Sequence, residues 1–157
     1  MPWAGAVRPP TTRWTKANVQ PAVVEGLRQA HSTLRSDLGE LGAAARAPSG
    51  AAPETLGALL RRARAHLAEH FRFEEENGYM TAVLQRDPNQ GRRVEQLRDE
   101  HRRLFAALEA LLDAAGRGAT DAGRANVLEW VAAVRRHEER EDALVQDVFT
   151  VDTGTED

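Results

Sequence analysis

Apolar residues recur at intervals of three and four along almost the whole of this 157-residue chain, and no stretch sustains an alternation of period two. Such a chain can bury its apolar surface only by packing helices. The stripes are Leu27, Leu34, Leu38 and Leu41, then Leu56, Leu60, Ala63, Leu67 and Phe71. Val94, Leu97, Leu104, Leu108 and Leu111 follow, and then Val127, Trp130, Val134, Leu144 and Val148. Breakers separate the four stretches. A helix can begin near Asn18, with Pro21 tolerated in its first turn, and run to Arg46 before Pro48, Ser49 and Gly50 end it. The second is expected from Pro53 to Leu84. Asp87 and Pro88 open the third, which stops at Gly116 and Gly118, and Thr120 or Asp121 caps a fourth that continues to Phe149.

Four segments of roughly 28 residues, each about 40 Å long and joined by short loops, predict an all-α fold, an antiparallel up-down-up-down four-helix bundle over residues 18–150. Pro48, Pro53 and Pro88 disfavour one long coiled coil. Residues 1–17, with three prolines and the anchors Trp3 and Trp14, read as an N-terminal arm lying across the bundle. Residues 151–157 read as a short acidic tail.

Charge and composition remove several function classes. Twenty-one basic side chains nearly balance 24 acidic ones for a net charge of −3, so neither a nucleic-acid nor an acidic-membrane footprint is expected. Cysteine is absent, which excludes disulfides, thiolate metal sites and cysteine nucleophiles. Any metal must be held by nitrogen and oxygen. No apolar run approaches the ~20 residues of a membrane helix, and the first residues lack the apolar core of a secretory signal, so a soluble, cytoplasmic protein is expected. Oligomeric state is left open.

The apolar stripes are interrupted at particular places. His31 lies between Leu27 and Leu34, His70 follows Leu67, His101 sits between Leu97 and Leu104, and His137 follows Val134. Glu74 comes one turn after His70, and Glu141 one turn after His137. Four imidazoles and two carboxylates therefore face the expected core. A single core histidine is usually just a hydrogen-bonded one, but six polar groups left without partners would each cost about 1–3 kcal/mol of a total stability of ~5–15 kcal/mol. A cation bound by all six removes that cost. Their levels agree as well, because His31 and His70 lie about 16 residues either side of the first loop and His101 and His137 also fall near mid-helix. The His-x-x-x-Glu spacing, present twice, sets an imidazole and a carboxylate on one face, from which the carboxylate can bridge to a second ion.

The stretches "LRQAHSTLRSDL", "HLAEHFRFEEE", "LRDEHRRLF" and "RRHEERED" resemble the hemerythrin family, including its bacterial His-His-Glu cation-binding members. The resemblance covers the whole bundle. It implies a centre of two non-haem iron ions that binds dioxygen, nitric oxide or peroxide, with His31 and His70 on one metal, His101 and His137 on the other, and Glu74 and Glu141 bridging. The family pattern usually has a further histidine one turn after the third-helix one. Here Phe105 stands there, which predicts a second ion with one protein nitrogen fewer. His66, one turn before His70, is a further candidate ligand, although its displacement of roughly 6 Å along the axis favours a hydrogen-bonding role. Glu75, Glu138 and Asp142 point about 100° away from the ligand faces and are expected to meet solvent.

Four functions are compatible with these residues. The first is a protein that binds or senses dioxygen, nitric oxide or peroxide at the centre. The second is a di-iron catalase or peroxidase, favoured by the open position that Phe105 leaves. The third is storage or sensing of iron or zinc, since histidine and carboxylate suit zinc or another divalent metal as well as iron. The fourth is a metal-free interaction module. No catalytic triad or phosphate-binding glycine loop is present, and "GRG" at residues 116–118 reads as a turn.

Overall fold

The computed structural model describes residues 16–48, 53–76 and 78–149, and the arm and tail expected at the termini lie outside them apart from Lys16 and Ala17. Every element among the described residues is helical. Four helices are long: α1 (Lys16–Arg46), α2 (Pro53–Glu76), α4 (Gly91–Gly116) and α5 (Asp121–Phe149). A short α3 (Tyr79–Arg86) and a 3₁₀ turn (Pro88–Gln90) connect α2 to α4. None is long and apolar enough to cross a membrane.

The second expected helix is thus two. Its break falls at Gly78, where a Cβ would lie 2.7 Å from the Glu74 Cα and 2.8 Å from the Phe73 carbonyl oxygen, so only glycine lets the chain fold back so tightly. The expected caps at Asp87 and Thr120 are in place, whereas α1 begins at Lys16 and takes Asn18 into its first turn instead of being capped by it. Asp87 accepts from the Asn89 amide at 3.1 Å, and Thr120 Oγ1 accepts from the Gly123 amide at 3.0 Å. The turn before α5 uses Gly118 at φ +121°, a conformation that L side chains rarely adopt.

Each long helix packs against two others, α1 and α4 both lying between α2 and α5. Contacts at rising residue numbers on one helix meet falling numbers on its neighbour. On α1 and α5, His31 meets Asp142, Arg35 meets Glu138, and the Ala44 and Ala47 carbonyls accept from Arg124. On α4 and α5, Arg93 meets Asp147, Glu100 meets His137, and the Leu104 carbonyl accepts from the Trp130 indole at 2.9 Å.

The apolar interior falls into two clusters. One gathers Leu38, Leu41, Leu60, Leu67, Leu108 and Val134, all fully buried, at the α1–α2 loop end. The other gathers Leu27, Met80, Val83, Val94, Leu97 and Leu144 at the α3 end. Each buried leucine contributes roughly 1.5–3 kcal/mol by leaving water. Three long helices cross from one cluster to the other through a polar step, His31 on α1, His101 on α4, and His137 and Glu141 on α5, while α2 packs in the first cluster and adds Glu74 to the same step before α3 enters the second.

Candidate metal centre

That polar layer brings together all six residues singled out by the interrupted stripes. Glu74 Oε1 lies 2.7 Å from His70 Nε2 and 3.4 Å from His31 Nε2, while its Oε2 lies 3.2 Å from His101 Nε2. Glu141 Oε1 lies 2.9 Å from His137 Nε2 and 3.5 Å from His31 Nε2, and its Oε2 lies 3.7 Å from His101 Nε2. Two sets of four donors result, His31–His70–Glu74–Glu141 and Glu74–His101–His137–Glu141, each with its ligand atoms within 4.8 Å of one another. The two glutamates belong to both sets.

None of these approaches has the alignment of a hydrogen bond. Among the described residues, the buried side-chain atoms without a hydrogen-bond partner are the four histidine Nε2 atoms, both Glu74 oxygens, Glu141 Oε1 and Glu138 Oε1. Native interiors leave few such atoms, since each costs about 1–3 kcal/mol. Here all but one belong to the same six residues. A cluster of nitrogens and oxygens that face each other rather than their own partners is what a hard or borderline cation requires, and imidazole with carboxylate suits iron, zinc and manganese.

The other ring nitrogens are held from outside. His31 Nδ1 pairs with Asp142 at 3.1 Å, His101 Nδ1 with Glu75 at 2.7 Å and His137 Nδ1 with Glu100 at 2.6 Å, and Arg140 in turn donates to Glu100. A carboxylate on Nδ1 fixes the tautomer so that Nε2 is free to ligate. Tyr79, the first residue of α3, donates its hydroxyl to Glu141 Oε2.

Charge in the layer is balanced within it. Burial lowers the His31 pKa, but Asp142, Glu141 and Glu74 outweigh it and push the value up to about 11. His101, likewise opposed by burial, is raised to about 10 by Glu141 and Glu74. Burial works against ionisation of Glu141, yet His101, His137 and His31 hold it well below the usual carboxylate range. The Tyr79 phenol is pushed up by burial and by the charges of Glu141 and Glu74, so it keeps its proton and remains a donor. Without a metal, protons on imidazoles neutralise the carboxylates, in the place a dication would take.

Three expectations require correction. Glu138 does not meet solvent: it is 2% exposed, with Oε2 accepting from Arg35 at 3.2 Å. Glu75 and Asp142 are partly exposed but hydrogen bonded to centre histidines. A rotation of 100° away from the ligand face of one helix carries a side chain to the seam with the next helix, not to water. Among the rings, Phe71 is the one that stacks on His101, with centroids 3.8 Å apart, while Phe105 carries the Arg64 guanidinium 5.3 Å above it. His66 lies outside both donor sets, its Nδ1 paired with Asp37.

Neither Glu100 nor Tyr79 stands out from spacing alone. Glu100 directly precedes His101, so its partner across the seam is legible only once the rotation of α4 is known. Tyr79 was hidden by the expectation of an unbroken helix, although Asn77 followed by Gly78 is a turn signal.

No curated protein and no solved structure matches this chain. The family model of the Hemerythrin HHE cation binding domain matches residues 22–148, a span that takes in all six residues of the polar layer. The chain belongs to the hemerythrin HHE cation-binding family.

Proposed function

We propose that this protein holds two non-haem iron ions in an antiparallel up-down-up-down bundle and binds dioxygen, nitric oxide or peroxide there. His31 and His70 serve one ion, His101 and His137 the other, and Glu74 and Glu141 bridge them. The observation that carries this reading is the convergence of four imidazole Nε2 atoms, none hydrogen bonded, on two carboxylates common to both donor sets. The opposed numbering of contacts between neighbouring helices supports the up-down arrangement. Iron, when bound, supplies an open position and a reversible change of oxidation state.

The chain's own residues prepare the position. Asp142, Glu75 and Glu100 orient three imidazoles, and Tyr79 donates its hydroxyl to Glu141 Oε2. Beside Glu74 and Tyr79 lies a cavity of about 300 Å³ lined by Val23, Leu27, Ala30 and Phe73, large enough for a diatomic gas or peroxide and mostly apolar. It is the route by which a small ligand reaches the His31–His70 side.

Metal analysis of protein purified without added metal, together with its optical spectrum, tests the core of this reading. Two equivalents of iron with near-ultraviolet absorption are expected, whereas a zinc-filled protein would be colourless. Spectral change on exposing the anaerobic ferrous protein to each ligand then separates binding from storage, and steady consumption of peroxide would select the catalase or peroxidase alternative.

A further inference from the structure

One buried polar atom in the interior has no counterpart among the six residues above. Glu138 Oε1 has no hydrogen-bond partner, although the residue is 2% exposed. Its other oxygen is held by Arg35, whose side chain is 55% exposed. Glu138 precedes Glu141 by three residues on α5, so the two carboxylates share a face. Across the seam, the His31–Asp142 contact is followed one turn on by the Arg35–Glu138 contact, which sets Glu138 beside the His31–His70 half of the layer. The charges of His31 and His70 both act on it, while burial pushes its pKa up.

We propose that Glu138 Oε1 is a seventh protein ligand, a terminal carboxylate of the ion held by His31 and His70. The inference rests on the two-ion reading of the centre. Each donor set offers four atoms, enough for tetrahedral zinc but fewer than the five or six that iron or manganese takes from oxygen and nitrogen. Glu138 lies outside both four-atom sets, so a side-chain rotation completes the site when the ion enters, with Arg35 at the surface free to follow. The two halves then differ: the His31–His70 ion gains a third carboxylate and the His101–His137 ion does not.

The test is Co²⁺ titration of the full chain, in which the visible bands report coordination number, for the wild type, Glu138→Gln and Arg35→Met. Glutamine keeps the volume and can still pair with Arg35, but it is a far poorer ligand. The wild type should take up two ions. In Glu138→Gln one step should weaken tenfold or more with a changed visible spectrum, while Arg35→Met should retain both steps. Identical steps and spectra in wild type and Glu138→Gln would show that Glu138 serves only Arg35 and would overturn the proposal. So would parallel losses in both variants, which would mark a structural ion pair. A wild type that takes up no Co²⁺ would overturn the two-ion reading and this inference with it.

Discussion

The two halves of the polar layer are built from the same parts but fastened differently. In the α4–α5 half, His101 and His137 each have a carboxylate on Nδ1, and the Glu100 that holds His137 is itself tied down by Arg140. In the α1–α2 half, His31 has Asp142, and no side chain among the described residues is seen hydrogen bonded to His70 Nδ1. The halves are related by position. Glu100 precedes His101, and the residue that precedes His31 is Ala30, which lines the cavity beside Glu74. One half has an outer carboxylate on both imidazoles; the other has it on His31 alone, and Ala30 at the matching position lines a cavity. Near-equivalent donor sets are thus held unequally from outside, one by two carboxylates and the other by one.

The largest effect should come from removing what the halves share. Glu74→Ala or Glu141→Ala should lower occupancy at both positions, with affinity reduced on the order of a hundredfold or more, since even outer partners of metal ligands cost 10–100-fold. His31→Ala should chiefly empty one. Elemental analysis of the three variants decides, and full occupancy without either glutamate would show the halves to be independent.

Next is the stabilisation that metal confers. An ion bound only by the folded chain adds about 4 kcal/mol at a thousandfold excess over Kd, which for a domain of this size is roughly 10 °C in Tm. The gap should depend on pH. The raised pKa values of His31 and His101, about 11 and about 10, stabilise the metal-free fold fully below the unfolded value near 6.5 and progressively less as pH rises toward them. Metal meets less competition from protons over the same range. Melting curves with and without metal at pH 6.5, 7.5 and 8.5 should therefore draw apart, and a constant gap would mean that the imidazoles are neutral in the metal-free protein.

A smaller effect sharpens the asymmetry itself. Glu100→Gln should weaken the His101–His137 position by about 10–100-fold. Ala30→Glu should supply the missing brace, tightening the other position several-fold while narrowing the cavity and slowing ligand entry. Binding isotherms and stopped-flow rates for the two variants give both numbers; an unchanged entry rate in Ala30→Glu would remove the cavity from the pathway.

The smallest effect concerns Phe105. Its ring lies beneath Arg64 in the α2–α4 seam, and Phe71 is the ring against His101. Phe105→His should tighten the second ion by no more than a few-fold, since a histidine there begins from the seam. A tenfold gain would show that the position can swing into the centre.

Much of this was legible in the residues themselves. Periodicity placed four long helices because each carries its own stripe, and His31, His70, His101 and His137 stood out because each replaces an apolar residue within one. The break at Gly78 was not seen, because the stripe resumes beyond it with Met80 and Val83, in phase with a different axis. Glu75, Glu100, Glu138 and Asp142 were lost for another reason. Acids abound on these helices, and which of them turn to a seam depends on the rotation of a neighbour, a quantity that no single segment encodes.

The division of the interior into two apolar clusters decides how the helices align. Leucines on a helix face are nearly interchangeable, and a slide of one turn along α5 would still bury apolar residues against apolar residues. In one direction it would set Leu144 opposite His31 and carry Glu141 toward the leucines of the other cluster, a buried charge without compensation. The layer whose donors could hold a metal is therefore also the mark by which four otherwise slippery helices find a single register.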